Sequence, residues 1–564
     1  MARPDAVACP THRRTAMRPL LVADPPVPYR PAPREEFAFG PLFAALDLWE
    51  HGGWSLEQVR EELRRTRGAF RGWGAPVHPA LLAWTAYALE RYAAARAREQ
   101  AAARVEELPP TAPVKQQWTV RTGRSDVADP RGARQYEHTV WGRPYASADG
   151  SVRDLWIPSL GRAKESRSAA ELAAVAHVMA YGAPAPPRRA RSEPPPTATD
   201  GTSMPRIVRV FDFGCVDGRF VQLLTEGRAE VQERFATHAA PAFHAAATGV
   251  ATQPGESCVD CKAIAGCADL KRTPGLWGGK PLSVARRRRS VSAWDLRLHG
   301  ECPAQYHLVR QLHLNDLSEE GQGAQRGRAV DTLLNERHGE RPVRGCRTRR
   351  SLDAAEIRME TGLDDGSAQE AAGMLGEHRL LCPLDGLAPD EQVLVQHRVT
   401  AYVPELDVVV LAVPDLVYTH RGRWIVRETK TSTRPLWEGR SLLRTYPQLA
   451  LSVLLLHAGA LGSSPRRSWV ELEHLRVGHG ESRLERIDPG RAETVDEART
   501  LIAELAQPLL DDTTYEPRTG RHCHGCQART WCRPGTAYVA DHPRPGGPGP
   551  GAGTGTADRG DAHV

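Results

Sequence analysis

A cysteine pattern that occurs twice is the feature that most limits how this chain can fold. The segments CVDCKAIAGC (258–267) and CHGCQARTWC (523–532) share one spacing, with two residues inside the first pair and five before the third cysteine. Upstream of each, residues 207–224 and 469–486 are typical of strand, turn, strand, followed by a helical stretch. Because the spacing recurs within eleven cysteines, we expect an internal duplication with two halves of related fold.

The cellular environment decides how these cysteines are interpreted. The sequence contains neither an N-terminal apolar run of signal-peptide length nor a stretch of eighteen apolar residues. We therefore expect a soluble, cytoplasmic protein without a membrane partner. In a reducing cytosol, clustered cysteines are better interpreted as metal ligands than as disulfides.

Local composition divides the chain into four segments. Residues 1–36 and 541–564 are rich in Pro, Arg or Gly without periodicity, and both are predicted to be disordered. Residues 37–280 form a half with helical patterns and the first cysteine trio, and residues 285–535 form a second half with the second trio. The net charge of +6 is small for 564 residues, so composition alone does not indicate a nucleic-acid binder.

Two acidic residues and a lysine stand at the ends of apolar runs in the second half. LDVVVLAVPDLVY (406–418) predicts a central strand, and RGRWIVRETK (421–430) predicts a second strand after a short turn. Side chains alternate along a strand, so Glu428 and Lys430 leave the same face, where Asp415 on the partner strand can meet them. A hairpin with solvated ends is the alternative interpretation.

Such a cluster suits the hydrolysis of phosphodiesters. Two carboxylates can hold Mg²⁺ or Mn²⁺, and the bound ion lowers the pKa of a water molecule. The lysine can orient that water or stabilise the charge that develops on phosphate. The sequence therefore predicts metal-dependent hydrolysis at Asp415, Glu428 and Lys430.

These residues resemble the PD-(D/E)XK nuclease superfamily, and particularly its RecB-like branch. That branch has Pro-Asp at the end of one strand and Glu-x-Lys on the next, here Pro414-Asp415 and Glu428-Thr429-Lys430. The resemblance covers roughly residues 285–535 and implies an α/β fold with a restriction-endonuclease-like core, a mixed central sheet flanked by helices. If the halves are homologous, the N-terminal half is a degenerate copy.

The resemblance implies a role for one residue on the following helix. Gln448 matches a glutamine that supports the active site in RecB-like nucleases. A tyrosine usually follows four residues later, but this chain has Ser452 there, with Tyr446 nearby.

The resemblance also implies a third metal ligand. RGRAVDTLLNERH has Asp331 four residues after Gly327, where the family carries a metal-binding histidine. His338 lies two turns further along and fits this role less well. An all-carboxylate shell of Asp331, Asp415 and Glu428 is harder than one with imidazole and favours Mg²⁺.

A further similarity concerns RecB-like nucleases that hold a 4Fe–4S cluster. SVSAWDLRLHGECPAQYHL (290–308) is similar to the segment that supplies one cysteine ahead of their nuclease core. The resemblance implies that Cys302 joins Cys523, Cys526 and Cys532, which we name the C-terminal quartet. Four thiolates could equally hold Zn²⁺.

The remaining cysteines are less constrained. The first trio lacks an evident fourth ligand, for which Cys9 and Cys215 are the candidates. A relic site, a zinc site and a second cluster all remain open for it. Cys346 and Cys382 are interpreted as ordinary small core residues.

Two other features bear on the N-terminal half and on binding. Aligning the halves on matching tryptophans places Ser147 and Asp149 where the second half has Glu428 and Lys430, so the first half is expected to have lost the cluster. The run Arg286–Arg289 either contacts phosphates or forms a solvated linker patch.

Two functions are compatible with these motifs. The favoured one is a metal-dependent, exonuclease-like DNA nuclease in recombination, repair or defence, beside a separate helicase or recombination or defence protein. The alternative is a catalytically inactive nucleic-acid-binding or scaffold protein with a nuclease-like fold. The sequence has no Walker-type phosphate loop, which argues against a helicase motor in this chain.

Overall fold

Two five-stranded sheets, one in each half, form the framework of the protein. The computed structural model describes residues 9–16, 37–66, 70, 76–115, 117–124, 134–185, 204–279, 287–315, 321–436, 439, 441–462, 467–476 and 482–543. A four-stranded and a three-stranded sheet accompany the larger two, and helices flank them. The fold is the predicted mixed α/β arrangement, consistent with a restriction-endonuclease-like core.

The helices and strands of these residues have the following bounds. The α-helices are α1 (Pro10–Ala16), α2 (Phe39–Glu50), α3 (Leu56–Arg65), α4 (Pro79–Val105), α5 (Ala169–Tyr181), α6 (Arg228–Arg234), α7 (Ala240–Thr248), α8 (Ala293–Glu301), α9 (Pro303–Tyr306), α10 (Gln322–Gly339), α11 (Ala354–Thr361), α12 (Asp365–Leu381), α13 (Leu442–Thr445), α14 (Pro447–His457), α15 (Ala492–Asp511) and α16 (Arg533–Asp541). The strands are β1 (Thr111–Pro113), β2 (Gln117–Arg124), β3 (Arg134–Thr139), β4 (Arg143–Ser147), β5 (Val152–Ser159), β6 (Ala183–Ala185), β7 (Ile207–Gly214), β8 (Phe220–Gly227), β9 (Lys271–Arg272), β10 (Arg289–Val291), β11 (Val393–Val395), β12 (Val399–Val403), β13 (Val408–Ala412), β14 (Leu416–His420), β15 (Arg423–Ser432), β16 (Trp469–Arg476) and β17 (Arg483–Ile487). Within the described ranges, no helix combines the length and apolarity that crossing a membrane requires.

The two five-stranded sheets share one topology. The C-terminal sheet has the order β11-β14-β15-β16-β17, and the N-terminal sheet has the order β1-β4-β5-β7-β8. In each, the third and fourth strands pair in parallel and the other neighbours pair antiparallel. A helix lies between the two parallel strands in the chain, α14 in one half and α5 in the other. This is the arrangement that the repeated sequence pattern predicts, although common descent of the halves remains a prediction.

The apolar run 406–418 is divided, which differs from the single strand predicted for it. β13 pairs with β10 and β12 in the four-stranded sheet, whereas β14 belongs to the C-terminal sheet. Pro414, between them, has no amide hydrogen to offer a ladder, so pairing is interrupted there. The break places Asp415 immediately before β14, at the edge where the two sheets separate.

The predicted counterparts of the acid and lysine do not occupy the corresponding positions. Ser147 ends β4 and Asp149 lies in the following turn, at the opposite end of the hairpin from the position expected. The Asp149 carboxylate accepts hydrogen bonds from Ser147 Oγ at 2.5 Å and from the Ser151 amide at 3.0 Å. These two side chains therefore stabilise a turn, and the tryptophan-based alignment is wrong.

Strand pairing identifies better counterparts. When the first pairs of the β4–β5 and β14–β15 ladders are superposed, Ile157 and Ser159 correspond to Glu428 and Lys430. The nearby Asp212 carboxylate is buried and accepts hydrogen bonds from Arg167 Nε at 2.7 Å and Ser159 Oγ at 3.1 Å. Ile157 and Ser159 thus offer no acid–lysine pair at these positions, and Arg167 pairs with the carboxylate that lies beside them.

Part of the N-terminal segment has a defined place in the fold. Residues 9–16 form α1 and the residue before it, and Thr11 Oγ1 donates to the carbonyl oxygen of Val250 at 2.9 Å. These eight residues differ from the disorder predicted for residues 1–36 because Cys9 and Thr11 are buried. The rest of that segment, and residues 544–564 of the predicted disordered tail, lie outside the described residues.

The arginine run contacts the protein itself. Arg288 Nε pairs with Asp407 at 2.7 Å, and Arg287 pairs with Asp260 at 2.6 Å. Arg289 is buried. The first arginine of the run lies outside the described residues. Arg288 is engaged with Asp407 and Arg289 is buried, so these two do not form a freely solvated linker patch. Contact of the run with phosphate stays a prediction.

A buried ion pair joins two strands of the C-terminal sheet. Arg427 on β15, with its side chain 3% exposed, donates from Nε and Nη2 to Glu471 Oε2 at 2.9 and 2.6 Å. Tyr418 donates its hydroxyl to the same oxygen at 2.9 Å. Arg486 reaches the other Glu471 oxygen at 3.0 Å from a position that is 64% exposed.

We expect Arg427→Leu to lower the free energy of unfolding by about 3–5 kcal/mol, because it leaves the Glu471 carboxylate buried without its main counterion. Arg486→Leu is the matched control, since it removes an exposed partner of the same carboxylate and should cost at most about 1 kcal/mol. Thermal unfolding followed by circular dichroism gives the comparison. Equal midpoints for the two variants would contradict the importance of the buried pair.

Candidate active site

The backbone of β15 fixes the Asp415 carboxylate. Asp415 Oδ2 accepts a hydrogen bond from the Thr429 amide at 2.7 Å, and Asp415 Oδ1 accepts one from Gln396 Nε2 at 3.1 Å. Thr429 is the middle residue of the Glu-x-Lys motif. The hydrogen bond therefore holds Asp415 directly beside the motif, as the alternation of strand side chains predicts.

Glu428 and Lys430 extend from one face of β15. Glu428 is 6% exposed, and the Lys430 ammonium lies 3.5 Å from Glu428 Oε2. Thr429, between them, points to the opposite face, where its hydroxyl donates to Glu473 Oε2 at 3.1 Å. The two faces of the strand thus carry different groups of polar side chains.

Asp331 reaches the same site from α10. Gln396 Nε2 lies 3.4 Å from Asp331 Oδ1, so one amide group contacts both aspartates. The helix comes close to the strand at Gly327, where an added Cβ would lie 2.9 Å from Thr431 Oγ1. The sequence analysis did not identify Gln396. The sequence marks this residue only as a polar side chain directly after the short apolar run 393–395.

The charges of these residues are unbalanced. The pKa of Glu428 is raised to about 8, mainly by burial and further by the negative charges of Asp415 and Asp331. The positive charge of Lys430 opposes this rise. Burial alone would lower the pKa of Lys430, but the three carboxylates reverse the direction and raise it. Three carboxylates therefore surround one ammonium, which favours a bound divalent cation. Their oxygens are hard ligands that suit Mg²⁺ or Mn²⁺, so this donor set fits such an ion.

The residues of α14 take different positions. Gln448 is half-buried in the first turn of the helix. Tyr446, just before the helix, is close enough to Lys430 for the ammonium to oppose the rise in the pKa of Tyr446 that burial causes. Ser452 is buried beside Pro414 and Val426 in a small cavity, so Tyr446 is the tyrosine that approaches the lysine.

The C-terminal quartet comes together although its members are far apart in sequence. All four cysteines line one cavity, which lies between α9 and the loops before α16. The Arg518 amide donates to Cys302 Sγ at 3.3 Å. Burial raises the pKa of Cys526 to about 12, and the other three thiols add to the rise.

The first trio also gains a fourth cysteine. Cys9, directly before α1, lies close enough for its charge to raise the pKa of Cys258. Cys261 and Cys267 raise the pKa of Cys258 in the same way. Cys215, the other candidate, is buried beside Asp212 and Asp217. We name Cys9, Cys258, Cys261 and Cys267 the N-terminal quartet.

A third group brings together residues that sequence reasoning had treated separately. The ligand atoms of His338, Cys346, His378 and Cys382, which we name the His/Cys group, all lie within 4.8 Å of one another, and all four residues are buried. Cys346 and Cys382 are buried in a core cluster, as expected, and both also lie beside His338 and His378.

Comparison with known proteins concerns mainly the second half. Residues 290–533 match the sequence model of the PD-(D/E)XK nuclease superfamily. A candidate exonuclease from Eubacterium rectale is similar in structure, with 9% identity and a TM-score of 0.28 over 40% of this chain and 82% of that one. The protein SSO0001 is similar with 15% identity and a TM-score of 0.22 over 45% of this chain and 89% of that one. No curated protein matches the chain. Both TM-scores are low, so neither likeness establishes a shared fold.

Proposed function

We propose that the chain is a metal-dependent DNA nuclease of exonuclease type, because residues 290–533 match the sequence model of the PD-(D/E)XK nuclease superfamily. One observation carries the proposal beyond the family match. Asp331, Asp415 and Glu428 converge on the Lys430 ammonium, and burial, together with the charges of the two aspartates, raises the pKa of Glu428 to about 8. A purely structural acid–lysine pair would not need two further carboxylates.

Each residue has a distinct part in phosphodiester hydrolysis. Asp331, Asp415 and Glu428 would hold Mg²⁺ or Mn²⁺, and the bound ion would supply a Lewis acid that activates water. Lys430 places a positive charge next to Glu428, where it orients the attacking water and offsets the charge that develops on phosphate. Gln396 and Gln448 are positioning residues, and Gln396 contacts the two aspartates through one amide.

The biological setting of the nuclease is part of the proposal. The substrate is DNA in recombination, repair or defence. Because the sequence contains no Walker-type loop, strand separation would come from a separate helicase or from a recombination or defence partner.

We further propose that the C-terminal quartet binds a 4Fe–4S cluster. All four cysteines line one cavity, so Cys302 lies with the C-terminal trio although some 220 residues separate them in the chain. One cysteine ahead of the nuclease core and three after it is the ligand arrangement of the RecB-like nucleases with a 4Fe–4S cluster that this sequence resembles. Four thiolates would also suit Zn²⁺, and metal analysis separates the two.

The variants Glu428→Gln and Lys430→Met distinguish the proposed role of Glu428 as a metal ligand from the proposed role of Lys430 as a positive charge. Cleavage of labelled single- and double-stranded DNA in Mg²⁺ or Mn²⁺ should fall by about 100-fold or more in each variant. Only Glu428→Gln should weaken Mn²⁺ binding, measured by calorimetry, because lysine is not a ligand. DNA binding should persist in both variants.

Asp149→Asn is the matched control, because it changes an exposed carboxylate to an amide in the N-terminal hairpin. Its cleavage should equal that of the wild type. Metal-dependent cleavage that is unchanged in Glu428→Gln would place the active site elsewhere. DNA binding without cleavage by the wild-type protein, on either strand type, would favour the inactive binding or scaffold function.

The cluster proposal predicts that anaerobically purified protein contains iron and labile sulfide and shows the visible absorbance of a 4Fe–4S cluster. Cys302→Ala should reduce iron by about four atoms per chain, because it removes one of the four ligands. Cys215→Ala, which changes a buried cysteine outside both quartets, should leave iron unchanged. Zinc with a four-sulfur shell in place of iron would contradict the proposal.

A further inference from the structure

The His/Cys group has the dimensions of a single-ion site. His338 Nε2 and His378 Nε2 lie 3.2 Å apart, although two imidazole nitrogens share at most one hydrogen. Cys346 Sγ and Cys382 Sγ lie 3.6 and 3.9 Å from His338 Nε2. A tetrahedral zinc ion with bonds of about 2.0 Å to nitrogen and 2.3 Å to sulfur separates two nitrogens by about 3.3 Å and nitrogen from sulfur by about 3.5 Å.

We propose that His338, Cys346, His378 and Cys382 bind a structural zinc ion inside the nuclease domain. The donor set of two imidazoles and two thiolates is one that structural zinc sites use, and four protein ligands leave no position open for substrate. All four residues are buried, so the ion has no direct route to DNA. This site is separate from the carboxylate cluster and does not depend on the proposed nuclease activity.

Neighbouring residues orient the four ligands. His378 Nδ1 lies 2.8 Å from Glu473 Oε1, and the Glu473 side chain is fully buried. A carboxylate on the far nitrogen fixes the ring so that Nε2 faces the metal, as in many zinc proteins. Arg379 donates to the carbonyl oxygen of Cys346 at 3.2 Å and thereby holds the turn that carries this cysteine.

The site also connects the elements that build the active site. His338 lies near the end of α10, the helix that carries Asp331. Glu473 contacts His378 with one carboxylate oxygen and accepts a hydrogen bond from Thr429 Oγ1 with the other. The zinc ion would therefore fasten α10 and α12 to the back of the catalytic strand, opposite Glu428 and Lys430.

The test uses full-length protein purified anaerobically. Metal analysis should find about one zinc per chain, and X-ray absorption at the zinc edge should give two nitrogens near about 2.0 Å and two sulfurs near about 2.3 Å. This measurement needs no variant, so it is independent of any folding defect. A four-sulfur shell, an oxygen-rich shell or less than about 0.1 zinc per chain would overturn the proposal.

Variants locate the ion. The double change Cys346→Ala and Cys382→Ala should remove the zinc, whereas Cys215→Ala should retain it. Glu428→Gln should also retain it, because the carboxylate cluster is a different site. Full zinc content in the double variant would overturn the assignment. Loss of zinc with intact cleavage would leave the nuclease proposal standing, so the two proposals fail separately.

A second observation concerns the N-terminal quartet, whose construction repeats that of the C-terminal quartet. Cys9 and Cys302 each directly precede a proline that begins a helix. The Gln253 amide donates to Cys9 Sγ at 3.4 Å, as the Arg518 amide does to Cys302 Sγ at 3.3 Å. Gln253 and Arg518 each lie five residues before the first cysteine of their trio.

Hydrogen bonds also hold the cysteine loop of the N-terminal quartet in place. Arg288 Nη1 donates to the carbonyl oxygens of Val259 and Cys261 at 3.2 and 3.3 Å, inside the cysteine loop. Arg288 also pairs with Asp407, so its guanidinium connects the loop to the segment before β13. The Gly255 amide donates to Cys258 Sγ at 3.4 Å, the kind of hydrogen bond to sulfur that iron–sulfur sites use.

We infer that Cys9, Cys258, Cys261 and Cys267 bind a second 4Fe–4S cluster. The repeated cysteine spacing and the matching amide contact to the cysteine before the proline are the features that this quartet shares with the C-terminal quartet. The cluster would fix the N-terminal helix α1 to the region around residues 250–253, where Thr11 already donates to Val250.

Iron analysis of the anaerobically purified full chain tests the second cluster. The wild type should hold about eight iron atoms, and Cys9→Ala should lower this to about four. Cys302→Ala should also leave about four iron atoms per chain, and Cys215→Ala should leave about eight. About four iron atoms in the wild type, or no loss in Cys9→Ala, would overturn the second cluster. Absence of all iron would overturn both cluster proposals.

Discussion

The parallel pairing of β15 with β16 is the constraint on which the C-terminal half depends. Its register sets Arg427 opposite Glu471 and Thr429 opposite Glu473, so the acidic side chains of β16 lie on the same face as Arg427 and Thr429. Strand alternation then directs Glu428 and Lys430 to the other face. One strand therefore separates a buried polar network from the candidate active site, and a shift of one residue would exchange the two.

Like charges lie close together in the candidate active site, and hydrogen bonds hold them there. The Thr429 amide and the Gln396 side chain fix Asp415, and α10 brings Asp331 to the same point. Burial and like charge raise the pKa of Glu428, which is the expected signature of carboxylates arranged for a cation. The corresponding positions of the N-terminal half have no such excess, because Ile157 and Ser159 replace the acid and the lysine.

Metal coordination, as proposed, would join segments that the sheets leave apart. The C-terminal quartet connects residue 302 with residues 523–532, and the N-terminal quartet connects residue 9 with residues 258–267. The His/Cys group connects α10 and α12 with β16 through Glu473. Each group would stabilise the fold by the free energy of metal binding, because the unfolded chain has no preformed site.

The sequence alone determined the α/β class, the Asp415, Glu428 and Lys430 motif and the repeated cysteine spacing, because strand alternation and short-range spacing are written in adjacent residues. Only the tertiary structure decided that Pro414 divides two sheets, that Gln396 contacts both aspartates, and that Ser147 and Asp149 belong to a turn. It also selected Cys9 over Cys215 and assembled the His/Cys group. These features rest on contacts between residues far apart in the chain, which depend on how helices pack against strands and leave no local periodicity.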